Sequence, residues 1–258
     1  MGRVKAAAGT SRARMSNTEA PTNDDPNKRP ITGTWDGVDT KMLVDLKHID
    51  VKPTVVAAEC DLKVLGLYND VVTIFQTLGM GRYWETAENI HPKLVKEFIA
   101  TCRLTYMDPE YPKASQGKLT FFLNRKHYSK TLFEICDMYG FTKGEAVEFP
   151  KLSSEVADDF WNTIATRPYQ WRKAKISHIR SPVVRYLAKV LGSVLHFKPV
   201  IAAVTETELP LLFYGVKHLL PAYSDLPAPD TNVAAVLCDT LVKMKNIVLH
   251  QPGRASSL

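Results

Sequence analysis

Gly117-Lys-Leu-Thr-Phe-Phe-Leu-Asn-Arg-Lys-His-Tyr-Ser-Lys-Thr-Leu-Phe-Glu-Ile-Cys-Asp-Met-Tyr-Gly140 holds both kinds of local structure in one run. Gly117 to Leu123 is rich in aromatic and β-branched side chains and runs into the polar turn Asn124-Arg-Lys126. That pattern predicts a strand, one arm of a hairpin returning through His127-Tyr128. Thr131-x-x-Glu134 then forms a capping box, in which hydroxyl and carboxylate satisfy free backbone donors reciprocally. It opens a helix with Leu132, Ile135, Cys136 and Tyr139 facing inward, and Gly140 closes it. No other segment gives so clear a strand signal.

Outward from this run the periodicity is helical. Asn69 or Asp70 is placed to cap a helix with Val71, Ile74, Phe75 and Leu78 on one face, ended by Gly79. His91-Pro92 starts another, with Leu94, Val95, Phe98, Ile99 and Cys102 as its apolar stripe. Ser153 or Ser154 caps a helix over Val156 to Ile164. Ser181-Pro182 starts one with Val183, Val184, Leu187, Val190, Leu191 and Val194 inward and Arg185, Lys189 and Ser193 outward. Near Thr205-x-x-Glu208, Pro210 disputes a start at Thr205. A cap at Thr207 keeps the proline in the tolerated first turn and is preferred. A last helix spans roughly Asn232 to Val248.

The fold class expected is mainly α: a single helical domain over residues 35–249 with one small β-hairpin. It is flanked by a disordered basic tail at 1–34 and a short disordered tail at 250–258. The 258 residues are 45% hydrophobic and 23% charged, with 13 Gly and 16 Pro. Globally disordered and collagen-like chains are thereby excluded. Cys60, Cys102, Cys136 and Cys238 are far apart and form no C-x-x-C, and no apolar leader opens the chain. A reduced protein of the nucleus or cytoplasm is expected. The acid-free start, Met1 to Met15, has the composition of a transit peptide as well as of a solvated tail. The most apolar region, Val190 to Val204, is broken by Lys198-Pro199 and is too short to span a membrane.

The net charge of +6 is unevenly placed. Residues 1–30 carry +3, and the acid-free interval between Asp159 and Glu206 carries +8, which leaves the remaining residues at −5. Phosphate loops, dinucleotide fingerprints, H-E-x-x-H and G-x-S-x-G are all absent from the sequence. Tyr106-Met-Asp-Pro109 resembles the start of a polymerase Y-x-D-D motif, but Pro109 stands where the second metal-binding carboxylate is needed, so it reads as a loop. The seven histidines do not pair with cysteines at zinc spacing. No catalytic residue, metal site or cofactor is therefore expected. Cys136 reads as a buried structural thiol, with a Cys–His nucleophile as the alternative.

One constellation has chemical content. Tyr169 and Trp171 lie beside Arg172, Lys173, Lys175, Arg180, Arg185 and Lys189, which could neutralise phosphates while the rings stack on unpaired bases. A solvated helix face whose charges pair with the acidic remainder of the chain explains the same composition, and both readings stay open here.

Lys173-Ala-Lys-Ile-Ser-His-Ile-Arg-Ser-Pro-Val-Val-Arg-Tyr-Leu187 resembles a motif of the Athila family, the first-open-reading-frame proteins of plant Ty3/gypsy-type retrotransposons. Leu94 to Thr101, Phe121-Phe-Leu with Tyr128-Ser, and Leu132 to Phe141 match in the same order. Leu65-Gly-Leu67, Asp70-Val71 and Leu78-Gly-x-Gly81 match as well, so the similarity covers roughly residues 60–220. The resemblance implies a helical, gag-like product with no catalytic motif to transfer. The zinc knuckle of many gag proteins is missing, and the chain reads as a truncated or decayed copy. The expected function is a non-enzymatic module that self-associates and contacts RNA through the basic block, without membrane or small-molecule partners. A domesticated nuclear adapter similar to plant mobile domains is the alternative, as is a decayed product without function.

Overall fold

The computed structural model describes residues 35–51, 57–81, 83–85, 90–170, 173–198 and 201–250. The expectations for residues 1–34 and 251–258, and for Trp171 and Arg172, lie outside the described residues. In chain order the helices are α1 (Gly37–Asp45), α2 (Glu59–Val64), α3 (Tyr68–Thr77), α4 (Pro92–Thr101), α5 (Leu132–Tyr139), α6 (Ser154–Ile164), α7 (Pro182–Val190), α8 (Glu208–Val216) and α9 (Val233–His250). The strands are β1 (Arg103–Tyr106), β2 (Gly117–Leu123) and β3 (Lys126–Thr131), antiparallel in the order β1-β2-β3.

The expected hairpin is thus two-thirds of a three-stranded sheet. β1 follows α4 with a single residue between, is four residues long, and begins with a buried arginine. A charge at an inward position hides the period-two alternation that would have revealed it. Tyr106 ends this strand, and Met107 to Pro109 bend away as the expected loop. Between β2 and β3 the turn is Asn124-Arg125, with φ of 49° and 63°. Both residues are left-handed, as two-residue hairpins of the I′ type require. The carboxylate of Glu97 on α4 accepts from both turn amides, at 2.8 Å from Asn124 and 2.6 Å from Arg125.

Local signals placed most helix ends. The Thr131–Glu134 capping box forms, and α5 stops at Gly140 with φ of 69°. Ser153 accepts from Val156 and Ser181 from Val184, and Pro182 is the first residue of α7. Leu132, Ile135 and Cys136 are buried, while Tyr139 is 40% exposed and packs its ring on Tyr83 and Phe141. α3 begins at Tyr68, ahead of Asn69 and Asp70, with no side-chain cap. Gly79 ends it with φ of 71°, and a Cβ there would lie 2.8 Å from Thr142 Oγ1.

α8 starts where the preference for Thr207 puts it: Thr207 is the N-cap residue and Pro210 falls in the first turn, although the Thr207 side chain makes no cap hydrogen bond. The Glu208 carboxylate instead accepts from the amide and hydroxyl of Thr205, at 2.8 and 2.9 Å, and Leu209 donates to the Thr205 carbonyl. Thr205 and Glu208 hold half of the box despite Pro210, because the carboxylate side of the motif does not use the proline nitrogen.

α9 runs through the middle, against α5, α1, α4 and β1. Asn232 anchors its start: its Oδ1 accepts from the Ala235 amide and the Cys136 thiol, and its Nδ2 donates to the Gly144 carbonyl. α3, α7 and α8 pack on one another, and Gly215 of α8 lets Ile74, Leu78 and Leu187 close in. A smaller core of Met42, Leu46, Ile49, Ile99 and Ala100 joins α1 to α4.

Charge, not apolar area alone, connects α1 to the sheet. Asp36 caps α1 and forms a capping box with Asp39. The Arg103 guanidinium, 3% exposed, donates to Asp36 Oδ2 and Asp39 Oδ2 at 2.8 Å each. The Lys245 ammonium of α9, 1% exposed, lies 3.8 Å from Asp39 Oδ1 and donates to the Cys102 carbonyl. Burial pushes the Asp39 carboxyl above the ordinary range, and Arg103 and Lys245 pull it back.

Arg103→Met leaves Asp39 buried without its main partner and lowers unfolding free energy in urea by about 3–5 kcal/mol. The triple change D39L/R103M/K245M costs far less than three such losses, since apolar groups replace the whole buried cluster. At α5, the Thr131 amide, Lys130 and the Thr131 hydroxyl hold the Glu134 carboxyl down to about 2. Its contribution is complete above the ordinary Glu pKa and fades as pH falls through about 2. Glu134→Gln therefore flattens the decline of the urea midpoint between pH 5 and pH 2.

Candidate nucleic-acid interface

Residues 173–180 of the basic block form an irregular segment around a 3₁₀ turn at Ile176–His178, pinned on both sides, and Arg185 and Lys189 follow on α7. The amide of Thr166 donates to the His178 carbonyl and that of Arg180 to Ile164, while the amide of Ile176 donates to Ala202 and that of Val204 to Ala174. Ala165 bridges to Ile179 and Lys175 to Ala203. Ala174, Ile176 and Ile179 are buried by this pinning, which turns Lys173, Lys175 and Ser177 outward. Around Lys175, whose backbone is extended, side chains alternate inward and outward, and the 3₁₀ turn Ile176–His178 then returns Ile179 to the inside.

The structure sorts the cations by what holds them. Arg180 is exposed, and its Nη1 donates to the Thr163 and Asn162 carbonyls at 3.0 and 3.5 Å. Those carbonyls lie at the C-terminal end of α6, where positive charge is favourable. Arg185 is half-buried and donates to the Ile179 and Arg180 carbonyls at 2.8 and 3.1 Å. Lys189 is exposed one turn further along α7. Arg185 and Lys189 therefore share one face of α7, because residues four apart are neighbours on a helix, and Arg180 lies just ahead of its start. Lys198 is ion-paired to Glu208 at 2.5 Å. Among the described residues, Arg167, Lys173, Lys175, Arg180, Arg185 and Lys189 have no carboxylate partner. The chemistry available is a set of hydrated ammonium groups with the exposed Arg167 guanidinium, and two further guanidinium groups tied to backbone.

Tyr169 is packed against α6. Its ring packs on Trp161 at 5.9 Å, and burial, with Glu206 and Asp158 nearby, raises its phenol pKa. Trp161 donates through Nε1 to the Arg167 carbonyl, which holds the start of the block against α6.

Thr205-x-x-Glu208 was visible as spacing, but its link to Lys198 was not, because that contact depends on the π-turn Leu191–Leu195 after α7. His196 caps the end of this turn, and its imidazole is held below the ordinary His range by burial. His196 borders a cavity of about 330 Å³ lined also by Lys151, Glu206, Asp239 and Lys243. Asp239 pairs with Lys243 at 2.5 Å. Among the described residues no group of three or more His, Cys, Asp or Glu side chains is placed to hold a metal ion. Cys136 is the buried structural thiol of the two alternatives: it donates to Asn232 Oδ1 at 3.4 Å, and burial raises its pKa. A thiol so held is a poor nucleophile. Among the described residues, no helix is long and apolar enough to cross a membrane.

A family model described as the ATHILA ORF-1 family matches residues 41–251. No curated protein and no solved structure matches the chain.

Stability should separate the two kinds of cation. Arg185→Ala lowers unfolding free energy by about 1–3 kcal/mol, the loss of charge-assisted hydrogen bonds to carbonyls. Lys173→Glu, Lys175→Glu and Lys189→Glu each change it by less than about 0.5 kcal/mol. Urea denaturation of the four variants checks this.

Proposed function

The chain belongs to the ATHILA ORF-1 family and is retrotransposon-derived, and from that premise we propose that it is a non-enzymatic, gag-like protein that self-associates and binds RNA through its basic block. The observation that carries this reading is the outward set Lys173, Lys175 and Lys189, exposed and without carboxylate partners among the described residues. Arg180 and Arg185 contribute fixed positive charge beside them, and Arg172 and Trp171 belong to the same segment of sequence. Phosphate neutralisation by such groups needs no bound metal and no catalytic side chain. Tyr169, half-buried and near Glu206 and Asp158, is assigned a supporting place at the edge of this surface.

Binding of a labelled single-stranded RNA, followed by fluorescence anisotropy across salt, tests the assignment. K173E/K175E/K189E weakens binding, and the slope of log affinity against log salt becomes shallower by about 0.7 per contact removed. Unchanged affinity and slope would overturn it. Light scattering after size exclusion tests self-association, and a monomer at every concentration removes that part. Capture of a defined protein that survives nuclease treatment favours the adapter alternative.

A further inference from the structure

The β2–β3 hairpin carries a second set of cationic and aromatic groups, on residues that the basic block does not include. Phe121 and Tyr128 are directly opposite in the register. Their rings stack at 5.6 Å with an interplanar angle of 13°, and both are only partly buried. Phe98 of α4 closes one side of the pair, edge-on at 4.9 Å. Lys126, Tyr128 and Lys130 are alternate residues of β3 and so share one face of the sheet. The Lys126 ammonium lies 5.6 Å from the Tyr128 ring centroid. Arg125 projects from the turn, exposed, while the buried Glu97 carboxylate below accepts from the turn amides.

The electrostatics favour an anion. Among the described residues, Arg125 and Lys126 have no carboxylate partner, and Lys130 shares Glu134 with the α5 cap. β3 is an edge strand, and lysines on an edge oppose pairing with another strand. A flat aromatic pair flanked by ammonium and guanidinium groups is the chemistry that takes unpaired bases between phosphate contacts. A cross-strand aromatic pair also stabilises a hairpin by itself, which explains the stacking but not the unpaired cations around it.

We propose that this hairpin face is a second contact for single-stranded RNA, with Tyr128 and Phe121 stacking on bases and Arg125 and Lys126 holding phosphates. The proposal rests on the RNA-binding reading above for the choice of RNA, and uses a separate surface.

Anisotropy with an oligouridine and with an RNA duplex of equal length, on the full chain, separates the possibilities. Tyr128→Ala weakens oligouridine binding by about 5-fold or more and leaves duplex binding unchanged, since stacking needs open bases. Tyr128→Phe retains the affinity. R125E/K126E changes only exposed groups, so it keeps the fold, and it makes the salt slope for oligouridine shallower. Photocrosslinking with 4-thiouridine places RNA on the peptide holding Tyr128. If R125E/K126E binds as the parent does while K173E/K175E/K189E does not, the hairpin proposal fails and the block stands. The opposite pattern removes the block and keeps the hairpin. Parental binding by both variants, with no crosslink at Tyr128, overturns both.

Discussion

The Arg103 guanidinium sits inside the protein, between Asp36 and Asp39, and three separate parts of the chain depend on it. A buried ionised group without partners costs several kcal/mol, so the interior around it must bring carboxylates to fixed places. Asp36 and Asp39 serve α1 as its capping box and serve β1 as counter-ions at the same time. Lys245 then ties α9 to the same carboxylate and to the Cys102 carbonyl. The start of the domain, the first strand and the last helix are thereby held in one geometry. Apolar packing alone would tolerate small slides between them, whereas paired charges in a low-dielectric site do not.

The surface follows a related division. Cations in the basic block share a sequence neighbourhood but differ in function because their backbone is pinned differently. Arg180 and Arg185 satisfy carbonyls at the end of α6 and in the turn before α7, and Lys198 neutralises Glu208. Lys173, Lys175 and Lys189 remain directed to solvent. The hairpin separates its roles in the same way: Glu97 beneath the turn organises backbone, and Arg125 and Lys126 above it stay outward. In both places structural and surface charge lie within a few residues of each other.

Much of the secondary structure was legible, and the reasons are local. Thr131 with Glu134, Ser181 with Pro182, and the glycines at 79 and 140 act over three or four residues, so their spacing announces the helix ends they make. α1 and β1 were not legible. Asp36-x-x-Asp39 has the spacing of a capping box but lacks the usual Ser or Thr before Glu or Gln. β1 conceals its pattern behind an inward arginine. The start of α8 after Thr207 was legible from Pro210, whereas the contact between Thr205 and the Glu208 carboxylate was legible only as spacing. The candidate interface was legible as a segment but not as a set of roles.

By itself, then, the sequence determined the family, the mainly helical character, the principal hairpin and most caps, because each rests on interactions between near neighbours or on an ordered series of motifs. Only the tertiary structure decided that Arg103 is an interior counter-ion, that Arg185 braces a turn, and that Lys173, Lys175 and Lys189 face water. Those outcomes join residues as far apart as Asp39 and Lys245. A charge's partner across such a distance is set by how the chain closes, which no local pattern encodes.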